Sequence, residues 1–125
     1  MREQGFFTDP KHQLYQYEAT LFRAARIIVD TSLHFGEMTF DEVVTFMVEK
    51  GNLTEPNARA EVGRYCSWPT QASSYLTGML EIVDVRTRWL AKKGTADVPA
   101  LREFHDKLTS SGAMPTSLAE RALAS

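Results

Sequence analysis

The sequence has little that would support disulfide cross-linking, membrane insertion or nucleic-acid binding. Cys66 is the only cysteine in 125 residues, which excludes a disulfide or a cysteine zinc knuckle within one chain and favours a reducing cytosol. The net charge of −2 provides no basic excess for nucleic acid or an anionic membrane surface. No run approaches the roughly 18 apolar residues of a membrane span, and the first residues lack the apolar core of a signal peptide. We therefore expect a cytoplasmic domain that binds neither nucleic acid nor membrane.

Catalytic motifs are equally scarce. The three histidines, His12, His34 and His105, include no pair four residues apart, so the H-E-x-x-H pattern of zinc peptidases is absent. We predict no metal site and no cofactor within this chain. There is also no G-x-S-x-G elbow and no glycine-rich phosphate loop. Cys66 has no neighbouring histidine to activate it, and we expect a half-buried, unreactive thiol.

What the sequence does contain is helical periodicity. No segment alternates with period two, and capping and breaking residues predict an all-α bundle of five to six helices. After an extended tail over residues 1–10, we expect a single domain over residues 11–125. Its centre is predicted to be a long helix over residues 70–93, which is free of proline and is followed by Gly94. The predicted core stripe of that helix contains Ala72, Leu76, Met79, Leu80, Val83 and Leu90.

The boundaries of the other helices follow from local signals. Thr39 and Glu42 form a capping box that opens a second helix, and this helix stops at Gly51. A third helix has Pro56 in its first turn. Its predicted inward side contains Ala58, Val62, Tyr65 and Cys66. Asp97 is the predicted N-cap of a helix over residues 98–109, and a last short helix follows residue 115.

The helix predicted over residues 11–35 has an apolar and a polar side. The apolar side contains Leu14, Leu21, Phe22, Ala25, Ile28, Val29 and Ser32. The polar side contains Arg23, Arg26, Asp30 and His34. This polar side is either a solvated face with an Arg26–Asp30 ion pair or the wall of a pocket. A second stripe on the long helix is either an amphipathic border or a pocket lining, and it contains Gln71, Tyr75, Gly78, Ile82, Arg86 and Trp89.

Blocks in a fixed order carry a family resemblance. They are LFRAARIIVDTSLH at residues 21–34, EVGRY at 61–65, WPTQA at 68–72, REFHD at 102–106 and GAMP at 112–115, with Tyr75, Gly78 and Arg86 at matching spacing. From Gly5 to about Leu118 the chain thereby resembles the C-terminal portion of the bacterial family known as domain of unknown function 885. Ser32 and Thr70 stand where that family has glycine. Because Thr70 adds a β-branched side chain, we expect the pocket to differ there.

The resemblance implies a function that this chain would share with other sequence. Full-length members of the family are several times longer, all-α and zinc-peptidase-like, with an H-E-x-x-P-G-H-type metal motif upstream of the segment matched here. By analogy with helical zinc peptidases, the candidate oxyanion donors are His34, Tyr65 and Tyr75. The implied substrate-binding residues are Arg23, Arg26 and Arg64 as a carboxylate clamp, Gln71 as a polar liner, and Asp30 as a partner of His34 or Arg26.

Three functional hypotheses follow. In the first, the chain is the substrate-binding part of a zinc metallopeptidase-like protein, inactive alone, with zinc held by a metal-bearing partner chain and a peptide or small carboxylate as ligand. Phe6 and Phe7 would then be apolar surface that packs on the partner. In the second, it is a non-enzymatic helical module that acts as a homo-oligomer or binds a small molecule or partner. In the third, His34 and Tyr75 perform metal-free acid/base chemistry. Whether the chain is an enzyme stays open.

Overall fold

The structure, a computed structural model, describes residues 5–124 and confirms the all-α prediction for them. Within this range there is no strand, and the six helices are α1 Pro10–His34, α2 Phe40–Glu49, α3 Glu55–Ser67, α4 Ser74–Lys93, α5 Val98–Ser110 and α6 Thr116–Ala124. The backbone groups into two compact units, Met1–Thr77 and Gly78–Ser125, each with its own buried cluster. The domain boundaries predicted from the sequence stay a prediction. No helix within the described residues is long and apolar enough to cross a membrane.

The predicted N-terminal tail is only partly within the described residues. Residues 1–4 lie outside them, and the segment from Gly5 to Asp9 is not helical. Phe6 and Phe7 contact each other edge to face, with ring centroids 5.2 Å apart. The Gln13 side chain donates a hydrogen bond of 3.0 Å to the carbonyl of Phe7. The tail is thus tied back to α1, while the predicted contact of its aromatic rings with a partner stays a prediction.

Capping residues fix several helix ends as the sequence predicted. The capping box between Thr39 and Glu42 is present at the start of α2, and the backbone hydrogen bond from Thr39 holds the pKa of Glu42 below its ordinary value. Asp97 accepts a hydrogen bond of 2.8 Å from the backbone N–H of Ala100 at the start of α5. Gly94, after the last turn of α4, has a φ of 75°, a left-handed conformation that glycine adopts without steric cost.

The long helix begins later than predicted, at Ser74 rather than at residue 70. The backbone of Thr70 has a φ of 69°, which is incompatible with a right-handed helix. The chain therefore makes a turn over residues 69–73 before α4 starts. Side chains of α4 pack with those of α5 and α6 in the cluster of Val85, Phe104 and Leu123. The closest backbone packing is of α1 with α2 and α3, of α2 with α3, and of α5 with α6.

The first unit has a core built from α1, α2, α3 and the turn before α4. Its buried apolar residues are Ala25, Val29, Val43, Val44, Met47, Ala58, Val62, Tyr65 and Ala72. The predicted apolar side of α1 is wrong in part, because Leu14, Leu21 and Ile28 are about half exposed or more. The buried face of α1 lies between the two predicted stripes and includes Arg26 and Asp30. This rotation brings polar side chains into the core.

Two further predictions are wrong: the burial of Cys66 and part of the core stripe predicted for α4. Cys66 is exposed rather than half-buried, because α3 packs through residues 58, 62 and 65 and Cys66 lies beyond that line. In the second unit, the predicted core residues Met79, Leu80 and Val83 are exposed. The buried residues there are Val85, Phe104 and Leu123, with Ile82, Trp89 and Leu108 packed against them. Part of the predicted border stripe of α4 is thus its inner face.

Candidate functional site

Arg26 is a buried cation on the inner face of α1. Only 6% of the residue is exposed. Its guanidinium carbon lies 5.2 Å from the ring centroid of Phe22 and 4.6 Å from that of Tyr75, within cation–π range of both rings. The Nε and Nη2 atoms are buried and have no hydrogen-bond partner among residues 5–124. These two nitrogens share one edge of the guanidinium, the edge that can donate two parallel hydrogen bonds to a carboxylate.

A chain of hydrogen bonds runs from α3 to the start of α4. Glu61 accepts from Arg64 Nη2 at 2.7 Å and from the Tyr65 hydroxyl at 2.8 Å. Arg64 Nη1 donates to Gln71 Oε1 at 2.6 Å, and Gln71 Nε2 donates to the Tyr75 hydroxyl at 2.9 Å. Residues 61, 64 and 65 can cooperate because spacings of three and four place side chains on one helix face. We call Arg26, Glu61, Arg64, Tyr65, Gln71 and Tyr75 the arginine cluster.

The arginine cluster holds two cations, Arg26 and Arg64, and one anion, Glu61, which pairs with Arg64. Burial opposes ionisation of Glu61, but hydrogen bonds from Arg64 and Tyr65 outweigh it, and with the Arg26 charge they leave the pKa of Glu61 below its ordinary value. Burial, followed by the hydrogen bond to Glu61, raises the pKa of Tyr65. The hydrogen bond to Glu61 likewise raises the pKa of Arg64. The Tyr65 hydroxyl is therefore protonated at neutral pH and donates its hydrogen bond to Glu61.

Asp30 connects α1 to the turn that precedes α4. It is 2% exposed, and its two carboxylate oxygens accept hydrogen bonds of 3.3 Å from the backbone N–H groups of Thr70 and Ser73. The Nδ1 atom of His34 lies 2.7 Å from the Asp30 carbonyl and 3.2 Å from its carboxylate. Of the two partners considered for Asp30, the structure thus pairs it with His34. Because Arg26 and Asp30 are buried, the polar side of α1 is not a fully solvated face.

The structure brings most of the predicted site residues into two groups. Arg26, Arg64, Tyr65, Gln71 and Tyr75 belong to the arginine cluster, and Asp30 and His34 form the second group. Arg23 joins neither group through a hydrogen bond, since its Nη1 donates to the Ala19 carbonyl of its own helix. The carboxylate role predicted for Arg23, and the acid/base role predicted for His34 and Tyr75, stay predictions.

Sequence reasoning missed two members of the site. Glu61 lay in a quoted motif but received no role, although its spacing to Arg64 and Tyr65 could have indicated a hydrogen-bonded triplet on one helix face. Phe22 was assigned to the apolar side of α1, whereas its ring packs against the guanidinium of Arg26. Within the described part of the chain, no three His, Cys, Asp or Glu side chains are grouped so that they could hold a metal ion.

A separate cavity of about 320 Å³ lies in the second unit and is lined by residues that include Arg88, Trp89, Lys93 and Glu103. Four of its charged side chains form two ion pairs. Arg88 Nε lies 2.9 Å from Glu120, and Lys93 Nζ lies 2.5 Å from Glu103. These side chains are also about 40% exposed or more. The cavity therefore offers no buried, unsatisfied group comparable to Arg26.

Comparison with known proteins gives a family and a solved relative. The family model described as "Bacterial protein of unknown function (DUF885)" matches residues 1–123. The crystal structure of the "putative lipoprotein" from Colwellia psychrerythraea is similar, with 36% sequence identity and a TM-score of 0.90. The match covers 98% of this chain and 21% of that one, so the chain spans about a fifth of the length of this relative. No curated protein matches the chain.

Proposed function

Because the chain belongs to the DUF885 family of bacterial proteins, we propose that it provides a carboxylate-recognising wall within a larger peptidase-like protein. A peptide or small carboxylate would be the ligand, and zinc and the general base would come from a metal-bearing partner chain or further family sequence. This chain would not be catalytic by itself. The predicted cytoplasmic location stays a prediction, since the solved relative is described as a lipoprotein.

The observation that carries this proposal is the unsatisfied edge of Arg26. A buried donor without a partner costs about 1–3 kcal/mol, and more when the group is charged. A ligand carboxylate that met Nε and Nη2 together would remove that cost and add two charge-assisted hydrogen bonds. Functional sites commonly trade stability for activity. A buried donor without a partner is therefore consistent with a ligand-binding site.

The surroundings of Arg26 support a role in binding. The ring of Tyr75 covers one face of the guanidinium but is itself half-exposed, so a modest rotation of this side chain would open a path to the arginine. The hydroxyl of Tyr75 is held by Gln71, which is held in turn by Arg64. We propose that Arg64 and Gln71 position Tyr75, and that Arg26 binds the ligand carboxylate.

The test is a titration of the 125-residue chain with the dipeptide alanyl-phenylalanine, followed by NMR of the arginine Nε–H signals. The free-carboxylate dipeptide should shift the Arg26 signal, and its C-terminal amide should bind at least about tenfold more weakly, because a charge-assisted pair is replaced by a neutral one. Arg26→Met should weaken binding of the carboxylate form by a similar factor.

Arg59→Met provides the matched control. It removes the same charge from α3, where Arg59 pairs with Asp41 and Glu55 on the exposed surface, and we expect binding to stay at the wild-type level. Equal binding of the acid and the amide, or equal losses for both arginine variants, would show that Arg26 does not recognise a carboxylate. The folded state of each variant is verified by its amide spectrum.

A further inference from the structure

The first unit leaves one apolar side of α1 uncovered. Leu14, Leu21 and Ile28 are 60%, 52% and 49% exposed. They recur every seven residues, so they align along one side of the helix over roughly 21 Å. This side, which we call the outer stripe, is distinct from the face that packs on α2 and α3 through Ala25 and Val29.

A polar group beside the outer stripe, the hydroxyl of Thr31, is satisfied within α1. The hydroxyl of Thr31 donates to the carbonyls of Ile27 and Ile28 at 2.9 Å each. Ala24 contributes no polar side-chain atom and leaves room for close approach of another helix. A helix that is apolar on its packing face and on a second side is typical of the interior of a larger all-α protein. Large exposed apolar stretches on soluble proteins commonly mark interaction sites.

The comparison with the solved relative indicates what covers this side. The relative retains the fold of this chain at a TM-score of 0.90, and about four fifths of its length lies outside the match. A heptad spacing of Leu and Ile suits a second helix laid along α1, with side chains of each helix in the gaps of the other. We propose that the outer stripe is the docking surface for an amphipathic helix from the part of the family fold that lies outside the matched segment.

This docking surface depends on family membership but not on the carboxylate-binding role of Arg26. Arg26 is directed between Phe22 and Tyr75 on the inner side of α1, whereas the outer stripe is on the uncovered side. The two proposals therefore make separable predictions. Arg26→Met should weaken dipeptide binding about tenfold without affecting the docking of the helix.

The test uses a chimera in which this chain replaces the matched fifth of the Colwellia relative. Hydroxyl-radical labelling followed by mass spectrometry is compared between the chimera and the free 125-residue chain. We expect several-fold lower labelling of Leu21 and Ile28 in the chimera. Val48 on α2, which is also partly exposed, is the internal control and should be labelled equally in both proteins.

A double variant, Leu21→Glu with Ile28→Glu, extends the test. In the free chain its thermal midpoint should match the wild type, because both side chains are half exposed. In the chimera it should lower the midpoint and increase cleavage by protease, whereas Val48→Glu should not. Equal labelling of the outer stripe in both proteins would overturn the proposal. It would also be overturned if the chimera that contains the wild-type sequence of this chain did not fold. A free chain that is a dimer and becomes monomeric in the double variant would also overturn it, since a second copy would then be the occupant.

Discussion

The two units of the chain place their charges differently. The first unit buries Arg26 and Asp30 in its core region. The second unit keeps Arg88 with Glu120 and Lys93 with Glu103 at its surface, where all four side chains are about 40% exposed or more. The apolar core of the first unit is also larger than that of the second.

This difference separates structural charges from candidate functional ones. Exposed ion pairs contribute about 0–1 kcal/mol, because water screens the attraction and two flexible side chains lose freedom. A buried charge costs several kcal/mol unless it is paired and hydrogen-bonded. Asp30 is fully engaged by the turn and by His34, whereas Arg26 leaves one edge unsatisfied. The first unit therefore contains both a structural buried charge and a group suited to binding.

The largest effect that tests this comparison is expected for Asp30→Ala. The substitution leaves the buried N–H groups of Thr70 and Ser73 without their acceptor, and we expect a loss of about 3 kcal/mol in the free energy of unfolding. Urea denaturation followed by circular dichroism measures it. Asp30→Asn keeps one acceptor oxygen and should lose less. If the free energy of unfolding fell by less than it does for a substitution at an exposed position, the Asp30 carboxylate would not be what holds the turn.

A smaller effect concerns the pH dependence of the first unit. The pKa of Glu61 in the folded chain lies below its ordinary value of 4.5, so its ionised form stabilises the fold above that pH. This contribution is lost as the pH falls through the lower, folded pKa. Glu61→Gln should reduce the stability at pH 7 by about 1 kcal/mol and flatten the acid limb. Denaturation midpoints measured between pH 3 and pH 7 test this. Parallel curves for variant and wild type would contradict it.

Thr70→Gly is expected to act in the opposite direction. Thr70 adopts a φ of 69°, where a β-branched residue is strained and glycine is not. We expect a gain of about 0.5–1 kcal/mol, which is the relieved strain less the added freedom of the unfolded chain. Thr77→Gly, in the regular part of α4, is the matched control and should destabilise. Thermal unfolding of the two variants gives the comparison, and a loss in both would show that Thr70 is unstrained.

The smallest effect should come from the second unit. Glu120→Ala removes the surface partner of Arg88, and we expect a destabilisation smaller than that of Asp30→Ala or Glu61→Gln, declining further at high salt. Chemical denaturation at low and high salt measures this change. A loss as large as that of Asp30→Ala would remove the distinction between the charges of the two units.

Helix existence and most helix ends could be predicted because the signals are local. Thr39 with Glu42, Asp97 and Gly94 each act on the nearest turn, and each was placed correctly. The beginning of α4 could not be predicted, since it depends on the left-handed backbone of Thr70 and on the remote carboxylate of Asp30. Which face of α1 is buried could not be predicted either. The polar side and the apolar side of this helix differ only slightly, and the helices that pack against it determine which face is buried.

The candidate site was predictable to the extent that the family resemblance supplied it. Periodicity alone favoured a solvated face for Arg26 and Asp30. The resemblance pointed to Arg64, Gln71 and Tyr75, and the structure joins them in one network. The contacts of the Arg26 guanidinium with the rings of Phe22 and Tyr75, and its unsatisfied edge, depend on side-chain positions on both α1 and α4. No pattern within a single helix contains that information.

The hydrogen bonds that the turn before α4 donates to the Asp30 carboxylate have a consequence for folding. They join residues 40 and 43 positions apart along the chain, whereas the α2–α3 pairing closes only a short connection. Loop closure becomes entropically more costly with length, and non-local contacts tend to form late. We therefore expect the α2–α3 hairpin to form early and the turn with Gln71 and Tyr75 to dock afterwards. The arginine cluster would then be assembled in the last step of folding of the first unit and would open first under mild denaturant, which hydrogen exchange at Thr70 and Ser73 can detect.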